Sequence, residues 1–191
     1  MIRKLRVILF ILIVAQSYIL FKNIKNDIEI KNNEVKNITN FLNTKTSKPV
    51  KVKDSIDYKI VIEIPKIGLK KGILSKEHMD NNIDKNITIL KESNYPNELG
   101  NIYIAAHSGS GKHSYFNDLT KLKKKDITYL YHENIKYTYE VIEIKSISKE
   151  TNSSILTTNK NNLILINFLQ LPKLTFFKSV LAVSAFKWVG E

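Results

Sequence analysis

Four histidines, no cysteine and two arginines limit what this 191-residue chain can do chemically. Without cysteine there is no disulfide, no thiolate metal site and no sulfur nucleophile. The two arginines are Arg3 and Arg6, so every later positive charge comes from lysine. His78, His113 and His132 fall in polar, loop-like stretches and are read as solvated. His107 differs. It follows Asn101-Ile-Tyr-Ile-Ala-Ala106 and precedes Ser108-Gly109, which puts it at the end of a strand. A histidine there either closes the strand in a turn or carries chemistry. The four histidines have no ligand spacing suited to zinc. No metal or other cofactor is expected.

The elements that must position His107 are short and β-rich. Tyr58–Ile64 reads as a strand stopped by Pro65, and Ile67-Gly68-Leu69 and Gly72-Ile73-Leu74 are short apolar pieces around glycines. Met79–Leu90 is mixed and reads as a short helix or a loop. Tyr115, Leu119 and Leu122 share one face of a helical stretch. Asp126–Tyr131 and Lys136–Ile147 alternate as strands, joined tightly at His132-Glu133-Asn134. Asn162–Asn167 reads as a buried strand and Val180–Val189 as the last one. Many short strands with few helices predict a mainly β fold, a closed barrel or a sandwich.

Ahead of these strands lies a different texture. Val7–Phe21 is apolar apart from Gln16, Ser17 and Tyr18, with Arg3, Lys4 and Arg6 before it. With Leu5 added, and Arg6 and Lys22 snorkelling, the run reaches the lower limit of the roughly 17–25 residues that span a membrane. A cleaved signal peptide is the rival, but Ala15-Gln16-Ser17 is a poor cleavage site. The expectation is an uncleaved anchor over 1–21. The basic flank is then cytoplasmic and the rest extracytoplasmic. Residues 22–53 read equally as a weak helix or a flexible stalk, and 54–191 as the β domain. The net charge of +12 would suit nucleic acid, anionic lipid or an anionic wall polymer. It is concentrated in no basic helix or nucleic-acid motif. Lys- and Asn-rich runs such as Lys31-Asn32-Asn33 make it a compositional bias, and no nucleic-acid partner is expected.

Four segments, in order, resemble the sortase family of Gram-positive surface transpeptidases. They are Ile64-Pro-Lys-Ile-Gly68; Gly100-Asn-Ile-Tyr-Ile-Ala-Ala-His107-Ser-Gly109; Tyr115-Phe116-Asn-Asp-Leu119-Thr-Lys-Leu122 with Lys125-Asp126; and Leu163-Ile-Leu-Ile166. The third carries Lys125 where the family has glycine. The resemblance spans about residues 58–189. It implies a closed eight-stranded β-barrel behind a membrane anchor. It also implies a cysteine that attacks an LPxTG-like sorting signal, a histidine that exchanges protons, and an arginine that stabilises the oxyanion. The implied partners are the sorting-signal peptide of a surface protein and a cell-wall precursor, with the oligomeric state left open.

The family roles carry over unevenly. His107 falls on the acid/base position. The nucleophile position falls on Phe168, after Asn167 where the family has threonine, and the arginine position falls on or near Val180. Lys178 is the nearest cation, a point charge rather than a planar fork. Thr175, Ser179 and Ser184 are conceivable hydroxyl substitutes, but an ordinary hydroxyl is a poor nucleophile without an aligned base. The chain is therefore expected to be an inactive member of its fold family. The alternative to an enzyme is a sortase-fold module that binds a sorting peptide, a partner protein or anionic cell wall.

Overall fold

The computed structural model describes residues 2–43, 56–147, 161–170 and 181–190. Two compact units divide at Asn40 and Phe41. The first is dominated by α1 (Ile2–Asn43), a helix uninterrupted by glycine or proline. Val7, Ile8, Leu9, Phe10 and the apolar side chains that follow to Phe21 are exposed. The helix is long and apolar enough to cross a membrane. At about 1.5 Å per residue its 42 residues extend well past one bilayer core. The choice between helix and stalk after Lys22 thus resolves to helix as far as Asn43, and 44–53 lie outside the described residues.

The second unit is built on one eight-stranded sheet. Its strands are β1 (Ile60–Ile64), β2 (Leu69–Ile73), β3 (Thr88–Ile89), β4 (Ile102–Gly109), β5 (Ile127–His132), β6 (Ile135–Ile147), β7 (Asn162–Gln170) and β8 (Leu181–Gly190). They lie in the order β2-β1-β5-β6-β8-β7-β4-β3. All neighbours are antiparallel except β4 and β7, which run parallel. The expected strand number holds, but the expected closure does not. Among the described residues no ladder joins β2 to β3. The reason is local. Asn81 Nδ2 donates to Ile89 O, and Asn81 Oδ1 accepts from Ile89 N. One side-chain amide takes both backbone groups of Ile89, and β3 is only two residues long. A short edge capped in this way offers nothing to a further strand.

Two clusters fill the unit. Ile60, Ile62 and Ile64 alternate into the larger one with Leu130, Tyr139, Leu163 and Leu165. β4 and β7 are buried on both faces. Ile102, Ile104 and Ala106 enter the larger cluster, while Tyr103, Ala105, Ile164 and Ile166 form the second, against which Ile83, Leu90 and Phe168 pack. Burial on both faces explains the unbroken run Leu163–Ile166, as in parallel sheets generally.

The connections follow the residue types. Pro65 opens a single 3-10 turn that ends on Gly68 at φ 62°, a conformation that suits glycine. β5 and β6 join through Glu133 (φ 49°) and Asn134 (φ 66°), a two-residue hairpin turn with both central residues left-handed. The expected helix at Tyr115–Leu122 reduces to a 3-10 turn, Leu119–Lys121, with Phe116, Leu119 and Leu122 buried. The burial of Phe116, rather than a helical stripe through Tyr115, decides that segment's path.

Candidate functional site

β4 and β7 pair in parallel with His107 opposite Phe168 and Ala106 opposite Asn167. The neighbourhood expected for His107 and Phe168 is thus the one observed. The rings meet edge to face, with centroids 6.4 Å apart and planes at 71°. Phe168 packs on the second cluster beside Ile166 and Ile83. Asn167 is buried, and its Nδ2 donates to Phe116 O at 3.4 Å. Its Oδ1 has no hydrogen-bond partner among the described residues. Consecutive strand residues face opposite sides. Phe168 therefore presents an aromatic ring to His107, and Asn167 turns to the segment carrying Phe116.

That segment ties off the end of β4. Phe116 N donates to His107 O at 3.0 Å, and Gly109 N donates to Asn117 Oδ1 at 2.6 Å. The imidazole is held from both sides. His107 Nε2 lies 3.1 Å from Asp84 Oδ1, and Nδ1 lies 3.4 Å from Phe168 O. Both neighbours are acceptors, so only the doubly protonated ring donates to both. The His107 side chain is 16% exposed and that of Asp84 is 75% exposed. The pair is therefore a surface contact closing over a half-buried ring.

Asp84 and Ile83 belong to the stretch between β2 and β3, and no motif pointed to them. Ile83 is one apolar residue in the polar run Asn81-Asn82-Ile83-Asp84-Lys85-Asn86. That isolation was the only available signal. Ile83 anchors the stretch to the second cluster while Asp84 meets His107. Lys85 pairs with Asp80 at 2.8 Å, which holds the Asp80 carboxyl below its ordinary range.

The other histidines are elsewhere. His78 Nδ1 accepts from Asp80 N in a turn, and His113 contacts the Tyr115 hydroxyl. His132, expected to be solvated, is buried. β5 extends to it, the alternation Thr128, Leu130, His132 turns it inward, and its Nδ1 donates to Lys59 O at 2.9 Å. It also stacks on Tyr95 with planes 9° apart. Val180, Lys178, Thr175 and Ser179 lie outside the described residues, and Ser184 pairs with Ile144 and Leu165 in the β8 ladders.

Residues 62–167 match the family model described as the Sortase domain, a match that stops one residue before Phe168. Sortase D of Bacillus subtilis (strain 168) is 31% identical over 106 residues, covering 55% of this chain and 51% of that protein. Sortase A of Bacillus anthracis is 30% identical over 115 residues, covering 59% and 54%. The chain spans about half the length of the curated relatives it matches. Among solved structures, a Clostridium perfringens Sortase D5 transpeptidase superposes with a TM-score of 0.61 at 21% identity, covering 84% of this chain and 98% of that one. Sortase A from Corynebacterium diphtheriae gives 0.59 at 22% identity, covering 71% and 62%. At these identities the structural likeness is one of fold.

Proposed function

We propose, starting from the fact that this chain belongs to the sortase family, that it binds a sorting-signal-like peptide without cleaving it. The observation carrying this reading is Phe168. It stands in register with His107, where the family resemblance calls for cysteine, in a chain that has no cysteine at all. Acyl transfer by thiolate needs a sulfur atom to attack the carbonyl and leave again. A phenyl ring has no lone pair to offer. His107 then has no nucleophile with which to exchange a proton, and no arginine after Arg6 can meet the oxyanion. What the position retains is apolar surface. Phe168 and Ile83, partly buried on the second cluster, offer packing to the leucine and proline of such a peptide.

The domain layout belongs to the same proposal. Residues 1–21 anchor the chain, 22–53 hold the domain off the membrane, and 54–191 act outside the cytoplasm. The charge of +12 favours a second reading, adhesion to an anionic wall polymer through lysines. A labelled LPxTG-like peptide titrated onto the full chain in lipid nanodiscs separates the possibilities. Saturable binding without product supports the proposal. Salt-sensitive binding to anionic polymer alone supports the second reading. Peptide turnover abolished by His107→Ala would overturn both.

A further inference from the structure

The parallel pair β4 and β7 has a second end. Its first residues, Ile102 and Leu163, lie five positions before His107 and Phe168, about 17 Å away at roughly 3.3 Å per residue. A cavity of about 340 Å³ opens there, lined by residues 96–100, Ile102, Tyr137, Tyr139 and Asn161. That volume lies in the roughly 300–1,000 Å³ range of small-molecule sites.

The lining carries an unusual set of leftover groups. Tyr139 is 3% exposed and lines the cavity. Burial, reinforced by Tyr137, holds this phenol above its ordinary pKa, so it stays protonated and can both donate and accept. Asn161 Oδ1 accepts from Gly100 N at 2.8 Å, which fixes its amide and leaves Nδ2 as a donor. Asn97 Nδ2 donates to Glu133 Oε2 at 3.0 Å, leaving Oδ1 as an acceptor. Glu98 spends Oε2 on Tyr95 N, leaving Oε1. Gly100, at φ 128° and backed by the Asn94 amide, admits no side chain to fill the space. Leu99 and Ile102 supply apolar surface.

These groups select among ligand classes. A phosphate needs donors alone and meets a carboxylate here. An ammonium needs acceptors alone and meets the Asn161 amide donor. Vicinal hydroxyls each donate and accept, which suits an alternating set of donors and acceptors. A ring with a polar edge and a C–H face also suits the tyrosine and leucine surfaces.

We propose that this cavity binds a neutral pyranose ring, its hydroxyls meeting Tyr139, Asn161 and Asn97 and its C–H face lying on the apolar wall. The site is independent of the reading given for His107 and Phe168. The test uses the full chain, tyrosine-labelled for NMR, in nanodiscs of lipids without sugar headgroups. The probes are methyl glucoside, tetramethylammonium and inorganic phosphate. Saturable binding of the glucoside alone is expected. Tyr139→Phe should weaken it about five- to ten-fold, the effect of one hydrogen bond. Asn161→Ala, at an exposed position, provides a second reading if Tyr139→Phe fails to fold. Preference for either ion, no saturation by the glucoside up to roughly 100 mM, or indifference to the folded variants would overturn the proposal.

Discussion

The two ends of the β4–β7 pair are built in opposite ways. At the far end, His107 is tied on both nitrogens, β4 is tied off by Phe116 and Asn117, and Phe168 packs apolar surface beside the imidazole. At the near end, the buried Tyr139 lines an open cavity. Phe168 thus gives the far end to packing, while the near end opens into a cavity that the resemblance says nothing about.

The sharpest way to break this contrast is to restore the reactive end. Phe168→Cys supplies sulfur beside His107 but leaves the arginine position empty. Loss of one oxyanion donor costs on the order of 100–1,000-fold in rate. The single variant should therefore cleave a fluorogenic sorting peptide feebly at best. Phe168→Cys with Val180→Arg should exceed the product of the single effects, because such residues act as a unit. Equal rates for the single and double variants would show that Val180 is not the arginine position.

The near end is tested by pH. Tyr139 ionises near its ordinary pKa of about 10 once unfolded, but its folded-state pKa is raised by burial. Its contribution is complete below about pH 10. It is lost as pH rises from there through the raised value, by up to about 1.4 kcal/mol per pH unit. Denaturant titrations between pH 8 and roughly pH 11 should show this slope, and Tyr139→Phe should flatten it. An unchanged slope in the variant would place the sensitivity elsewhere, for example at Tyr131, which burial and its bond to Glu63 also raise.

How legible these ends were differs for a physical reason. Ile60, Ile62 and Ile64 alternate into the larger cluster, and Leu163–Ile166 is continuously apolar and buried on both faces, so both strands were written in the pattern. The pairing of His107 with Phe168 followed from that strand reading and the family motifs. Asp84 was invisible because an exposed carboxylate leaves no periodicity, and its partner lies 23 residues away. The open seam was invisible because it depends on one amide, Asn81, bonding Ile89. His132 was misread because its polar neighbours suggested a loop, while its strand phase turned it inward.

A position outside both ends provides a control. Lys125 holds φ 77°, a left-handed conformation, where the family pattern has glycine. Its N–H donates to Val141 O at 2.9 Å, which fixes the strained turn. Lys125→Gly should raise unfolding free energy by about 1 kcal/mol, the usual cost of a side chain in that region. Peptide and sugar binding should not change. A destabilised variant would mean that the lysine side chain outweighs its backbone strain.

The smallest effect expected separates a latch from a coincidence at the far end. Asp84 is mostly exposed, so its attraction for His107 is screened by water and by salt. Exposed ion pairs couple by roughly 0.2–1 kcal/mol. A double-mutant cycle of Asp84→Asn and His107→Gln, read from denaturation midpoints of the full chain, should return a coupling in that range. Raising the salt to about 1 M, where the Debye length falls to about 3 Å, should shrink it further. The stretch carrying Ile83 would then be held mainly by apolar packing, and Ile83→Ala should loosen it more than Asp84→Asn does, as seen in amide exchange of residues 81–87. A coupling above roughly 2 kcal/mol, or one indifferent to salt, would contradict the exposed geometry and make the carboxylate the principal tie on His107.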